Sequence, residues 1–521
     1  MHLLFSLLPM LLCAIFVFTA CAGGADTAAN KAPTDSTNVI VSSEQKPTPS
    51  PSPAPAATDT VAEEVKYNDY NLTLDIDPVQ KTVKGLEKVT YKNRSAAAFD
   101  HLYFNLYLNA FSETVAHQPY FSAFEQKIFG GAQKDFGEIR IDNVSVNHQN
   151  VDFTVDETVL TITLAEPLAQ QDSAEIALQF QAKIPEINHR TGAKGDALWF
   201  GSFIPVLAVY DDAGWHTEPY YPAGNPFFVN IANVTAQIST PAGYRAIGTG
   251  EETFTEEAGR RQTVITAKMV RDFAFTVDRE QTCAPRTAQT KSGVYVNLYT
   301  TAEEEKAVSL LTSAVKSLDY YGQLVGTYPY TSLDIVETGL PSAEGMGYAQ
   351  IIFMDTDFIK TGRAADMLSY QIGRQWFYSV VGSNQVKDAW LSEGIAAYLQ
   401  EKLFSGTTLR ENIKIEYDAL QTMLKTMKHQ TLLSDLSVYE DWQAYFDIEH
   451  TRAKLMLYAL NESIGEENFE MFIKTYYSKY SFKIATQKDF ITTAEEVTGR
   501  SLTSFFDAWL GDAALPQLVW P

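Results

Sequence analysis

From about Tyr67 the chain settles into short runs in which apolar and polar residues alternate. Tyr70, Leu72, Leu74 and Ile76 fall on one side of the first run, the period-two pattern of a strand with one buried face. Asp142-Asn143 and Asp156-Glu157 punctuate later strand-like segments. VDETVLTITLAEPL, AEIALQFQAKIPEINHRTG and VTAQISTPAGYRAIGTGE extend the theme, so residues 65–280 are predicted as a β domain. From about 285 the pattern is mixed. NLYTTAEEEKAVSLLTSAVKSLDYYGQLVGTYPY predicts a strand and a long helix, and LDIVETGL and YAQIIFMD predict edge strands. Leu368, Ile372, Trp376 and Val380 recur every fourth residue, the stripe of a buried helix. Helical periodicity dominates from about 410 to the end, giving three predicted parts at 65–280, 281–410 and 411–521.

The first 64 residues differ. Residues 3–20, LLFSLLPMLLCAIFVFTA, form an apolar run that ends at Cys21, with Ala22-Gly23-Gly24 behind it. Small residues before a cysteine at the end of an apolar run resemble a bacterial lipobox, so residues 1–21 are expected to be a lipoprotein signal peptide with Cys21 lipidated. Phe18 stands where leucine is usual and the leader lacks Lys and Arg. The other reading is an uncleaved transmembrane anchor, for which the run is just long enough. Either way the rest of the chain is expected on the outer side of a bacterial cell membrane. Residues 22–64, rich in Ser, Thr, Pro and Ala, cannot bury enough apolar surface to fold and read as a disordered tether.

The 521 residues allow two or three large cores, and the net charge of −24 without basic clusters argues against a nucleic-acid partner. Beyond the leader the only cysteine is Cys283, so no internal disulfide is available and a structural role is expected for that thiol.

The candidate chemistry lies in LSYQIGRQWFYSVVGSNQVKDAWLSEG at 368–394. Together with WLSEG, this stretch resembles the zinc helix and third-ligand helix of the M1 aminopeptidases, gluzincins with the pattern H-E-x-x-H, eighteen residues, then E. Two histidines four apart on a helix reach one zinc, the glutamate between them takes a proton from the bound water, and a later glutamate closes the site. Here Tyr370 and Arg374 hold the histidine positions and Gln371 holds that of the general base. Eighteen residues separate Arg374 from Glu393, which is retained as the third-ligand glutamate. A phenol is a poor zinc ligand, a guanidinium never deprotonates, and an amide cannot act as a base.

The resemblance extends further. In Glu344-Gly345-Met346-Gly347-Tyr348, Gly347 replaces the family's amine-anchoring glutamate, while Gly345, Met346 and Tyr348 fall along the implied cleft. In His450-Thr451-Arg452-Ala453-Lys454, His450 replaces the tyrosine that stabilises the oxyanion. SLTSFFDAWLGDAALPQL is similar to the family's ending, so a bacterial short form is implied. The resemblance runs over about 65–515 and implies an α+β multidomain fold. In it a β-sandwich-like N-terminal domain precedes a thermolysin-like α/β domain and a helical C-terminal part.

The function expected on these grounds is an inactive M1 homologue, without catalytic residues, metal or cofactor, serving as a peptide-binding or scaffold protein. Its ligand would be a peptide or a cell-envelope protein, with peptide laid along the edge strand near Gly345. Arg374 is expected to substitute for the metal by pairing bidentately with Glu393. The alternative is an active metallo-aminopeptidase or other hydrolase in the same cleft. It would carry zinc, or a harder ion such as ferric iron held by Tyr370, Glu393 and His450. His216 and Glu218 are read as structural or rim residues, since no second ligand pair follows them.

Overall fold

A computed structural model describes residues 67–115, 135–279, 284–339, 345–362, 364–426, 430–439 and 441–518. The leader, the tether, Cys21, Cys283 and Glu344 lie outside the described residues. Among the described residues no helix is long and apolar enough to cross a membrane.

The alternating run at the start becomes the strand Asn68–Asp77, in which Tyr70, Leu72, Leu74 and Ile76 are buried and the residues between them exposed. It pairs antiparallel with Thr82–Lys92 and parallel with Ala232–Pro241, in the middle of an eight-stranded sheet. Gly85 has a definite steric reason: a Cβ there would stand 2.1 Å from the ring of Phe180, its partner on the neighbouring strand. Two four-stranded sheets accompany the large one, and one apolar core spans residues of all three. The sheet-rich N-terminal domain followed by a mixed and then helical part is the α+β arrangement anticipated.

The second part is built on a five-stranded sheet in the order Arg286–Gln289, Tyr295–Tyr299, Ser332–Thr338, Ile351–Asp355, Gly345–Tyr348. Its central pairs are parallel, with helix α1 (Glu304–Leu324) crossing between Tyr295–Tyr299 and Ser332–Thr338. The LDIVET part of LDIVETGL, and IIFMD, therefore lie in the interior of the sheet, contrary to the edge position predicted for them. Their near-continuous apolar character is that of strands buried on both faces. The edges are Arg286–Gln289 and Gly345–Tyr348.

Helices α2 (Thr356–Thr361) and α3 (Ala364–Trp376) follow, then α4 (Trp390–Ser405), α5 (Leu409–Met423) and the short α6 (Trp442–Tyr445). A π-helical turn at Phe446–Arg452 leads into α7 (Ala453–Ile464), followed by α8 (Glu466–Tyr480), α9 (Gln487–Thr498) and α10 (Thr503–Leu510). Helix α3 stops at Trp376, so Leu368, Ile372 and Trp376 share its stripe while Val380 is buried from the irregular segment beyond. The parts are joined through Arg271, buried at 5% exposure, whose guanidinium donates to the carbonyls of Val229 (2.8 Å), Tyr378 (2.8 Å) and Lys483 (2.9 Å). Carbonyls from three separate segments thus compensate for desolvating one cation.

Candidate functional site

Small residues set the approach of the helices that carry the site. A Cβ on Gly373 of α3 would lie 3.2 Å from Ala396 of α4, and one on Gly394 of α4 would lie 2.3 Å from the Ala453 side chain of α7. With no side chains at these crossings, α4 seats closely between its neighbours and Glu393 comes to face α3.

Glu393, at 1% exposure, is met by three donors. Its Oε1 accepts from Arg374 Nη1 and, at 2.8 Å, from Asn225 Nδ2, while Oε2 accepts from the Tyr370 hydroxyl. Tyr370 and Arg374 lie one turn apart on α3, on the same face. The expected ion pair is therefore present, but it is not bidentate. Tyr370 takes the second carboxylate oxygen, leaving Arg374 one oxygen and its Nε without a hydrogen-bond partner among the described residues. The guanidinium carbon stands 4.8 Å from the centre of the Tyr378 ring, a cation–π contact. Burial works against the charge on Arg374, and the Glu393 carboxylate together with Tyr370, Tyr445 and Tyr378 more than offsets it, holding the guanidinium above its ordinary pKa. Burial, followed by the charge of Glu393, pushes the Tyr370 phenol well above its usual range.

The network continues into the β domain through residues that sequence reasoning did not select. Asn225 accepts on Oδ1 from Arg190 Nη2 while it donates to Glu393. Arg190 also donates to the Tyr220 hydroxyl (3.2 Å) and the Gly224 carbonyl (3.1 Å), and its guanidinium carbon lies 4.9 Å from the Phe227 ring centre. The signal available for Asn225 was the turn-like Gly-Asn-Pro within an otherwise aromatic loop.

Gln371 points to the sheet. Its Nε2 donates to the Gly345 carbonyl (3.0 Å) and its Oε1 accepts from the Gly347 N–H (2.9 Å). Gln375, one turn on, donates to the Tyr348 carbonyl (2.8 Å) and accepts from the Gln350 N–H (3.0 Å). Gly345, Gly347 and Tyr348 are buried and Met346 is half-buried. His450 lies on the π-helical turn, its ring centre 5.2 Å from that of Tyr370 and 5.9 Å from that of Phe446. Burial, then the cations Lys454 and Arg374, push its imidazole down to about 3, so it is neutral at physiological pH.

His216 is buried away from any such network, its Nδ1 2.9 Å from Glu218 Oε1 and its Nε2 2.8 Å from Asp211 Oδ2. Its ring is also set edge-on to Phe228 at 4.8 Å.

Zinc requires unprotonated donors around an open position. The groups here are a guanidinium, a phenol held protonated, and a carboxylate with both oxygens engaged, and they do not fit that ion. They do not fit ferric iron either, because Tyr370 would have to ionise beside Glu393 and the cation would have to displace Arg374. Among the described residues, no group of three or more His, Cys, Asp or Glu is placed to hold a metal.

Comparison with known proteins gives this geometry a family context. Residues 311–509 match the Peptidase family M1 domain. Human glutamyl aminopeptidase is 24% identical over 250 residues, which cover 44% of this chain and 26% of the human enzyme. Aminopeptidase N of Lactococcus lactis subsp. lactis is 22% identical over 257 residues, covering 44% of this chain and 30% of that protein. The aligned part thus spans under a third of either relative. The crystal structure of an M1 zinc metallopeptidase from Deinococcus radiodurans superposes with a TM-score of 0.65 at 17% identity, covering 87% of this chain and 96% of that one. The chain is an M1 aminopeptidase-like protein with the two-domain fold of the M1 metallopeptidases.

Proposed function

We propose that this chain is a non-catalytic M1 homologue that works as a binding or scaffold protein on the outer side of a membrane. It would be held there by a lipid on Cys21 and spaced from the surface by the tether at 22–64. The observation that carries the reading is the buried Arg374–Glu393 pair: a fixed cation belonging to the chain sits on the carboxylate that would otherwise ligate the metal. Three further replacements support it. Gln371 has no titratable group, Gly347 offers no side chain to a substrate amine, and neutral His450 stands beside a guanidinium.

What would be bound is a peptide or a cell-envelope protein, recognised by surface and shape. The acidic balance, −24 overall, disfavours nucleic acid. The test is metal content by mass spectrometry on the full chain after exposure to zinc, manganese and iron, run beside an assay on chromogenic amino-acid amides. The expected result is no stoichiometric metal and no turnover. One metal per chain together with amide hydrolysis would overturn the reading and reinstate an active metallo-aminopeptidase.

A further inference from the structure

We propose that Gln371 closes the edge strand Gly345–Tyr348 to extended peptides, its side-chain amide standing in for the main chain of a pairing strand. An edge strand offers alternate N–H and C=O groups to any chain laid beside it, and this is how an extended peptide binds a sheet. On this edge two adjacent such groups are already used: Gly347 N–H bonds Gln371 Oε1 and the Gly345 carbonyl accepts from Gln371 Nε2. The orientation of the amide is unambiguous, because a main-chain N–H can only donate and a carbonyl can only accept. Gln375 makes the same two-point contact with the Tyr348 carbonyl and the Gln350 N–H, so α3 is stapled along the strand by two glutamines one turn apart.

The residue types at 371 and 347 depend on one another. A carboxylate at 371 could accept from Gly347 N–H, but its second oxygen would face the Gly345 carbonyl with no proton to share. An amide completes both bonds at any pH, whereas an acid could do so only while protonated. At position 347 a Cβ would lie 2.9 Å from Gln371 Oε1, so any side chain there would push the amide away. Two changes that each read as a lost function therefore combine into one contact, and an extended peptide can reach this edge only by displacing Gln371.

The inference rests on the non-catalytic reading of the same cleft, and its test has a separate readout. Hydrogen exchange by mass spectrometry would follow the amide of Gly347 in the full-length wild type, Gln371→Ala and Gln371→Glu. A fluorescein-labelled tri-alanine peptide would be titrated against each. The expected result is at least tenfold faster exchange at Gly347 in Gln371→Ala, and at least tenfold tighter binding of the peptide by that variant than by the wild type. Gln371→Glu, which keeps one of the two bonds and the residue's shape, should exchange at an intermediate rate and carries the test if the alanine variant does not fold. Unchanged exchange at Gly347, or equal peptide affinity in wild type and variant, would overturn the proposal. Hydrolysis of amides by the wild type would instead sink the non-catalytic reading and leave the exchange result standing.

Discussion

Glu393 on α4 and Glu87 on the strand Thr82–Lys92 are both removed from solvent, at 1% and 0% exposure, yet their surroundings have little in common. Glu393 receives Arg374, Tyr370 and Asn225, so both its oxygens are bonded and its charge is matched by a guanidinium. Glu87 has Leu72 and Leu178 as cross-strand partners, and neither of its oxygens has a hydrogen-bond partner among the described residues. Burial alone raises its pKa well above that of an ordinary glutamate. The β domain thus holds an acid whose ionisation is opposed by burial alone, whereas the site on α3 and α4 sets an internal cation against its acid. The second arrangement stabilises only as a unit: a buried carboxylate that loses its counter-charge must be neutralised or the structure must open around it.

The largest effect should come from removing the cation. Arg374→Met is expected to lower stability by about 3–5 kcal/mol, the usual penalty for orphaning one member of a buried pair, measured by urea denaturation at pH 7. Arg374→Met combined with Glu393→Met should recover most of that loss, since no unpaired charge remains and the packing volume is kept. A double variant as unstable as the sum of its single variants would show that the two residues act independently, and the contrast with Glu87 would collapse.

A smaller effect is expected at Tyr370. Tyr370→Phe removes one hydrogen bond to a charged group while leaving the ring against His450, so a loss of about 1.5–3 kcal/mol is expected in the same assay. A loss near zero would mean that Arg374 and Asn225 alone satisfy the carboxylate.

These features were unequally legible in the sequence. Regular elements show themselves by period, and Tyr70 to Ile76 or Leu368 to Trp376 needed nothing else. The facing of Arg374 and Glu393 is legible only through the resemblance to the M1 zinc site, which implies that these two positions meet; the period of α3 alone shows no more than that Tyr370 and Arg374 share a face. Asn225 could not be read, since it reaches Glu393 across 168 residues from a loop, and loop side chains follow no period. Gln371 was read only as a missing base, because a motif describes what a position does in catalysis and is silent on which main-chain groups its replacement will meet. The two-point contact with Gly345 and Gly347 is visible only once α3 has packed on the sheet. The interior position of Ser332–Thr338 and Ile351–Asp355 is hidden for a related reason: a short apolar run does not say how many neighbours it has.

The remaining prediction sharpens the comparison from the side of Glu87 and reads out through pH. Its folded-state pKa is raised above the unfolded value. Its contribution is therefore most favourable at acid pH, where both states are protonated, and is eroded as pH climbs past the unfolded pKa and the unfolded chain ionises. Each pH unit in that window removes about 1.4 kcal/mol for one such group. Glu87→Gln keeps the shape of the neutral acid and cannot ionise. It should match the wild type near pH 4 and become progressively more stable than it between pH 5 and 7, measured as the difference in denaturation midpoint across that range. A difference that stays flat with pH would mean that Glu87 binds its proton alike in the folded and unfolded chains over that range, and the contrast would lose its second member.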